Sequence, residues 1–305
     1  MRNWVRKLLL LVALLLALAA ALSGVGVALF KGTPDWYGSD AASAADRARL
    51  ARDAENKLIE AQNWAATLRA DEERAARLRA KAGASATLPA ARAEATHLVE
   101  FSQQEVNALL DKWSTLHNWR SKYGEFLEDP QVVLRDGNLI LAARVRDLGA
   151  IVSFQFRPQL TEEGDLKLDL LKVTGGRLRL PEAVWSAWRN RLVASLQRRM
   201  PEWSRRAQIS PTGSANVPAM TATLSRLLID VAARKPADPV LFFPLADGGA
   251  SVPVKVADVN IEDHTLKLRV RPLTPDERAA LLARIRSGDP LSTAPPPRET
   301  QAAGE

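Results

Sequence analysis

Hydrophobic spacing changes register several times along the chain, and each change marks a different element. Leu8 to Phe30 is one uncharged run, preceded by Arg2, Arg6 and Lys7. At 1.5 Å per residue it reaches roughly 34 Å, enough to cross a hydrocarbon layer of about 30 Å. From residue 46 to 82 the spacing is three and four: Leu50, Ala54, Leu58, Ala61, Ala65 and Leu68 fall on one stripe of an Ala-rich helix. "KGTPDWYGSDAASAA", residues 31–45, reads as a short linker before it, and "AGASATLPAARAEA" as a connector after it.

Residues 101–113, "FSQQEVNALLDKW", open a second helix. Ser102 and Glu105 have the spacing of a capping box, in which each side chain satisfies a backbone N–H of the other. Phe101 and Val106 stand as a hydrophobic staple around it. Val106, Leu109, Leu110 and Trp113 share a face, and Asn107 lies at its edge. There it would bond backbone or contact a substrate.

From residue 130 the period becomes two. "PQVVLRDGNLILAARV" predicts two strands around an Asp136-Gly137 turn. In "IVSFQFRPQL", Val152, Phe154 and Phe156 alternate with Ser153, Gln155 and Arg157. In "DLKLDL", Leu166, Leu168 and Leu170 alternate with Lys167 and Asp169. "GRLRLP" repeats the pattern. The expectation is an antiparallel meander with one apolar and one wet face.

Helical spacing returns in residues 181–206. Pro181 suits a first turn, and Trp185, Trp188, Leu192, Leu196 and Met200 form the stripe. A further helix is expected over 217–233. The strands "PVLFFPL", "SVPVKVADVNI" and "TLKLRVRPL" follow, then a short polar helix and a Pro-rich tail that composition marks as disordered.

Segregated strands and helices predict an α+β fold. It comprises an N-terminal transmembrane helix, then an antiparallel curved β-meander packed on amphipathic helices. The expected division is 1–31, cytoplasmic flank and anchor; 32–94, linker and Ala-rich helix; 95–273, exported α+β domain; and 274–305, short helix and tail. The Ala-rich helix has three open readings: a spacer off the membrane, half of a weak coiled coil, or a helix lying on its own domain. The apolar run has two. A retained anchor fits its length, and a cleaved signal peptide would use the small residues near Ala17 to Ser23. The basic flank places the N-terminus in the cytoplasm and the body outside.

Candidate chemistry narrows the picture mainly by exclusion. The 305 residues include no cysteine, which removes disulfides, thiol nucleophiles and Cys metal sites. His97, His117 and His264 lack metal-ligand spacing, and no G-x-S-x-G elbow or S-x-x-K pair occurs. Glu162 and Glu163 sit in a turn. No enzyme activity, metal or cofactor is expected. The net charge is +7, but acids interleave with the bases and no nucleic-acid module appears. Arg189, Arg191, Arg198, Arg199, Lys267, Arg269 and Arg271 form a candidate contact with an anionic surface. The plainer reading is a solvated face neutralised by neighbouring acids.

The opening F-S-x-x-E-V-N-A-L-L, the one-faced meander and the long amphipathic helix, all behind an N-terminal apolar run, resemble the YpmS-like membrane-anchored proteins of bacteria. They also resemble small members of the tubular lipid-binding (TULIP-like) superfamily. The resemblance covers about Leu98 to Leu273. It implies a curved sheet wrapping a helix around an apolar groove for a lipid chain, on a protein of the bacterial inner membrane. Groove candidates are Val106, Leu109, Trp113, Phe154, Phe156, Leu168, Leu170, Trp185 and Trp188. If those side chains fill the space, the domain is a solid core. The competing expectation is a non-enzymatic scaffold that holds envelope protein partners.

Overall fold

The structure, a computed structural model, describes residues 28–38, 42–82, 95–116, 124, 127–183, 185–186, 190, 194, 197–198, 229–230, 235–241 and 253–286. The apolar run as far as Val27, the connector 83–94, the tail from 287 and most of 199–252 lie outside them. So do His117, Trp188, Leu192, Leu196 and Met200. Among the described residues no helix is long and apolar enough to cross a membrane.

The strands form two antiparallel sheets. The first follows chain order: β2 (Leu127–Arg135), β3 (Asn138–Val145), β4 (Ala150–Leu160), β5 (Leu166–Gly175) and β6 (Leu178–Arg179). The second runs in the order β1 (His97–Ser102), β9 (Thr265–Pro272), β8 (Val254–Glu262), β7 (Val240–Leu241). The fold is α+β, as expected. The antiparallel meander is the first sheet, and a second sheet stands beside it because β1 pairs with β9, at the other end of the described chain.

Tight turns with two left-handed residues set the register of the β2–β3 and β8–β9 hairpins. Arg135 pairs with Asn138 across Asp136 (φ 53°) and Gly137 (φ 73°), both left-handed as a type I′ turn requires. Glu262 pairs with Thr265 across Asp263 (φ 46°) and His264 (φ 62°), a turn of the same kind built without glycine.

Helix α1 (Ala44–Ala82) starts at Ser43, whose Oγ accepts the Asp46 N–H at 3.1 Å. Its stripe is the one read from spacing, shifted by one position at its start: Ala51, Ala54, Leu58, Ala61 and Ala65 are buried. It lies on its own domain. Ala54, Leu58, Ala61 and Ala65 share one core cluster with Val99, Phe101, Val254, Val256 and Val270 across the expected boundary at residue 94. Methyl side chains let helix backbone approach the sheet closely, so a thin stripe still packs densely.

Helix α2 (Gln103–Leu116) begins with the capping box: Ser102 N–H to Glu105 Oε2 at 2.7 Å, Glu105 N–H to Ser102 Oγ at 3.2 Å. Lys57 of α1 pairs with Glu105 at 2.7 Å, and Glu55 with Lys112 at 2.5 Å. Val106 packs against two clusters, the α1 cluster and a second one of Val132, Leu134 and Ile261. Helix α3 (Pro275–Arg286) docks Leu281 with Val240 and Leu273.

The expected wet face of the first sheet needs correction. Val132 and Leu134 are buried on one face, but so are Val133, Ile140, Ala142, Ile151 and Ser153, which alternate onto the other. Ser153 can occupy a buried position because its hydroxyl meets Thr174 Oγ1 across the strands at 2.6 Å. Of the three polar residues expected on that face of β4, Ser153 is thus buried, Gln155 half-buried and Arg157 exposed.

Candidate functional site

A groove forms where β5 and β6 meet the chain at Pro181 to Trp185. Strand β5 carries an extra residue: Gln155 pairs with Lys172 and Phe156 with Leu170, which leaves Leu171 unpaired. Such a bulge bends the strand and re-aims its side chains. Beyond β6 the Leu180 N–H returns to Val173 O at 2.9 Å, and Pro181 turns the chain into helix at Glu182 and Ala183. One turn later Trp185 is buried. Its Nε1–H donates to Glu182 Oε2 at 2.9 Å, and its ring meets Phe154 edge-on at 6.5 Å. Phe154 in turn lies 6.4 Å from Phe156, nearly parallel.

The resulting groove holds about 280 Å³. Its apolar lining is Leu170, Leu171, Val173, Leu180, Pro181 and Trp185, and Lys172, Arg179 and Glu182 stand among them. Lys172 and Arg179 are both exposed. Apolar walls with a few charged groups are the usual makeup of a ligand pocket, although this one lies at the small end.

The groove candidates separate into two places. Leu170 and Trp185 line the groove, Phe154 stands next to Trp185, and Phe156 lies beyond Phe154. Leu168 pairs with Pro158 further along β5 and is not in the lining. Val106, Leu109 and Trp113 pack into the α1 cluster instead. Strict alternation missed Leu171, Lys172, Val173, Arg179 and Leu180. The one available signal was the adjacent pair Leu170-Leu171, which breaks the period of two.

The cation candidates also divide. Arg271 is held by Glu277 through two bonds of 2.7 and 2.6 Å, which raise its pKa. Lys267 pairs with Glu262 at 2.9 Å, and that bond raises its pKa. Arg269 is exposed; Arg198 is exposed and donates Nε–H to Ala194 O at 3.2 Å. Arg189, Arg191 and Arg199 lie outside the described residues.

A second cleft, of about 360 Å³, runs between Trp36-Tyr37, α2 and the start of β2. Its lining is more polar: Gln104, Asp111, Ser114, Asp129 and Gln131 among others. The Tyr37 hydroxyl donates to Asp129 O at 2.7 Å, and burial, then the Asp129 charge, pushes its pKa up. Among the described residues no cluster of His, Asp and Glu is arranged to hold a metal. No family model, curated protein or solved structure matches this chain.

Proposed function

We propose that this is a single-pass, membrane-anchored protein of the bacterial envelope that receives part of an acyl chain in the β5–β6 groove, as a non-enzymatic carrier or sensor. The observation that carries the reading is the pairing of an apolar trough, lined in part by Trp185, with Lys172 and Arg179 beside it. That combination suits an amphiphile with an anionic headgroup. Burying six methylenes contributes about 5 kcal/mol, enough for sub-millimolar binding before headgroup pairing is added. A scaffolding role would call for a continuous apolar face on α1. Its exposed large apolar side chains, Ile59 and Leu78, stand about five turns and roughly 28 Å apart.

The test is mass spectrometry of the full chain, purified in detergent and washed free of loosely held lipid. One retained amphiphile per protein is expected, together with its loss in Leu171→Trp, where the indole fills the trough. Equal lipid in both proteins would mean that the groove holds nothing.

A further inference from the structure

The chain that follows the apolar run is bolted to one end of the first sheet. Residues 28–31, where that run ends, are helical. Phe30 packs so closely on the β5–β6 turn that a Cβ at Gly175 would stand 2.2 Å from its ring. One at Gly176 would stand 2.2 Å from its carbonyl oxygen. Arg177 N–H donates to Leu29 O at 2.9 Å, and its guanidinium reaches Thr33 O at 3.2 Å and pairs with Asp35. Tyr37 and Gly38 then reach Asp129 O and Gln131 Oε1 of β2. Residues 32–38 are a strap rather than a free linker.

That end of the sheet, at the β3–β4 and β5–β6 turns, has its own surface character. Leu29, Leu148 and Leu178 are large apolar side chains at 40%, 47% and 37% exposure. Lys31, Arg146 and Arg179 stand near them in the chain and are at least partly exposed. The acids at this end are partly engaged, Glu128 by Arg146 and Asp35 by Arg177; Asp129 and Asp147 are exposed. The opposite end, the β4–β5 turn, presents Glu162 and Glu163. The 11 residues of β4 put it roughly 35 Å away.

We infer that the β5–β6 end rests in the headgroup layer of an anionic phospholipid bilayer, with Leu148 and Leu178 dipping into it and the basic residues on phosphate. The inference depends on the anchored reading above, since a span ending at Phe30 brings this end to the membrane surface. The groove shares Arg179 with that surface. Its amphiphile is therefore a bilayer phospholipid that enters sideways rather than a molecule collected from solution.

The absence of cysteine makes single-site labelling clean. Full-length Leu178→Cys and Glu163→Cys, each carrying a bimane label, are placed in phosphatidylethanolamine–phosphatidylglycerol bilayers containing brominated lipid. The label at 178 is expected to be quenched several-fold more than that at 163. Equal quenching, in a chain that stays with the bilayer through an alkaline wash, overturns this orientation and leaves the anchored reading intact. Release of the chain by that wash overturns both.

Discussion

At the residue scale, the side chain that tells most is Asn107. Strand β2 is an edge of its sheet, and edges present unpaired backbone groups. Asn107 covers this one with a two-way bond, Nδ2–H to Val132 O at 2.8 Å and Val132 N–H to Oδ1 at 2.7 Å. Gln103 Oε1 takes the Leu134 N–H at 2.8 Å, two residues on. One helix face thus stands in for a neighbouring strand. Asn107→Ala leaves a donor and an acceptor of β2 without their partner and should lower stability by about 1–3 kcal/mol. Urea unfolding against Asn260→Ala checks this; Asn260 is exposed, and its change should cost little. An equal effect at both sites would deny Asn107 that role. The capping box of α2 was readable from spacing, whereas for Asn107 spacing left a backbone bond and a substrate contact both open. Which strand Asn107 would reach was not readable, because β2 lies some 25 residues on.

At the element scale, one carboxylate ties down the start of α3. Glu277 caps its first turn by accepting the Thr274 N–H at 2.9 Å, and it takes both bonds from Arg271. The Arg271 guanidinium, assisted by Thr274 and Lys255, holds the Glu277 pKa down to about 2 against the opposing effect of burial. A carboxylate with a lowered folded-state pKa stabilises above its unfolded value, near 4.5, and loses that contribution as pH falls towards the folded value. The docking of α3 should weaken between pH 4.5 and about 2. Partial exposure screens the pair, which limits the effect to about 1 kcal/mol. Hydrogen exchange of α3 amides across that window should show faster opening in the native chain, and a much flatter profile in Glu277→Gln. A flat profile in the native chain would rule the linkage out.

At the scale of the whole molecule, α1 and β1 make one body with the strands of residues 254–272. Strand β1 pairs with β9, and α1 supplies four of the nine buried residues in the cluster that covers this sheet. Without Ala54, Leu58, Ala61 and Ala65, the inner face of Val99, Val254, Val256 and Val270 would meet water. A chain beginning at residue 95 should therefore fail to fold, whereas residues 28–286 should unfold in a single transition. Circular dichroism on heating tests both. A stable, cooperative 95–286 chain would show that α1 is an accessory.

Local chemistry alone determined a good part of this protein. The Asp136-Gly137 hairpin, the α2 cap and the α1 stripe are written in neighbouring residues, because turn dihedrals, capping bonds and helical period act over a few positions. The α+β class follows from where the periods change. Tertiary structure decided what those faces meet. An alanine stripe names a buried side but not its partner, so α1 had three open readings until the Val254–Val270 face was seen beneath it. Strand β1 shows only two inward residues, Val99 and Phe101, too few to declare a period. The Asp263-His264 turn lacks the glycine that marks its twin. The groove depends on a bulge at Leu171 and on Trp185 meeting Phe154, and the strap on Phe30 lying against Gly175, some 145 positions away in the chain. Contacts at that separation arise only once the chain has closed on itself.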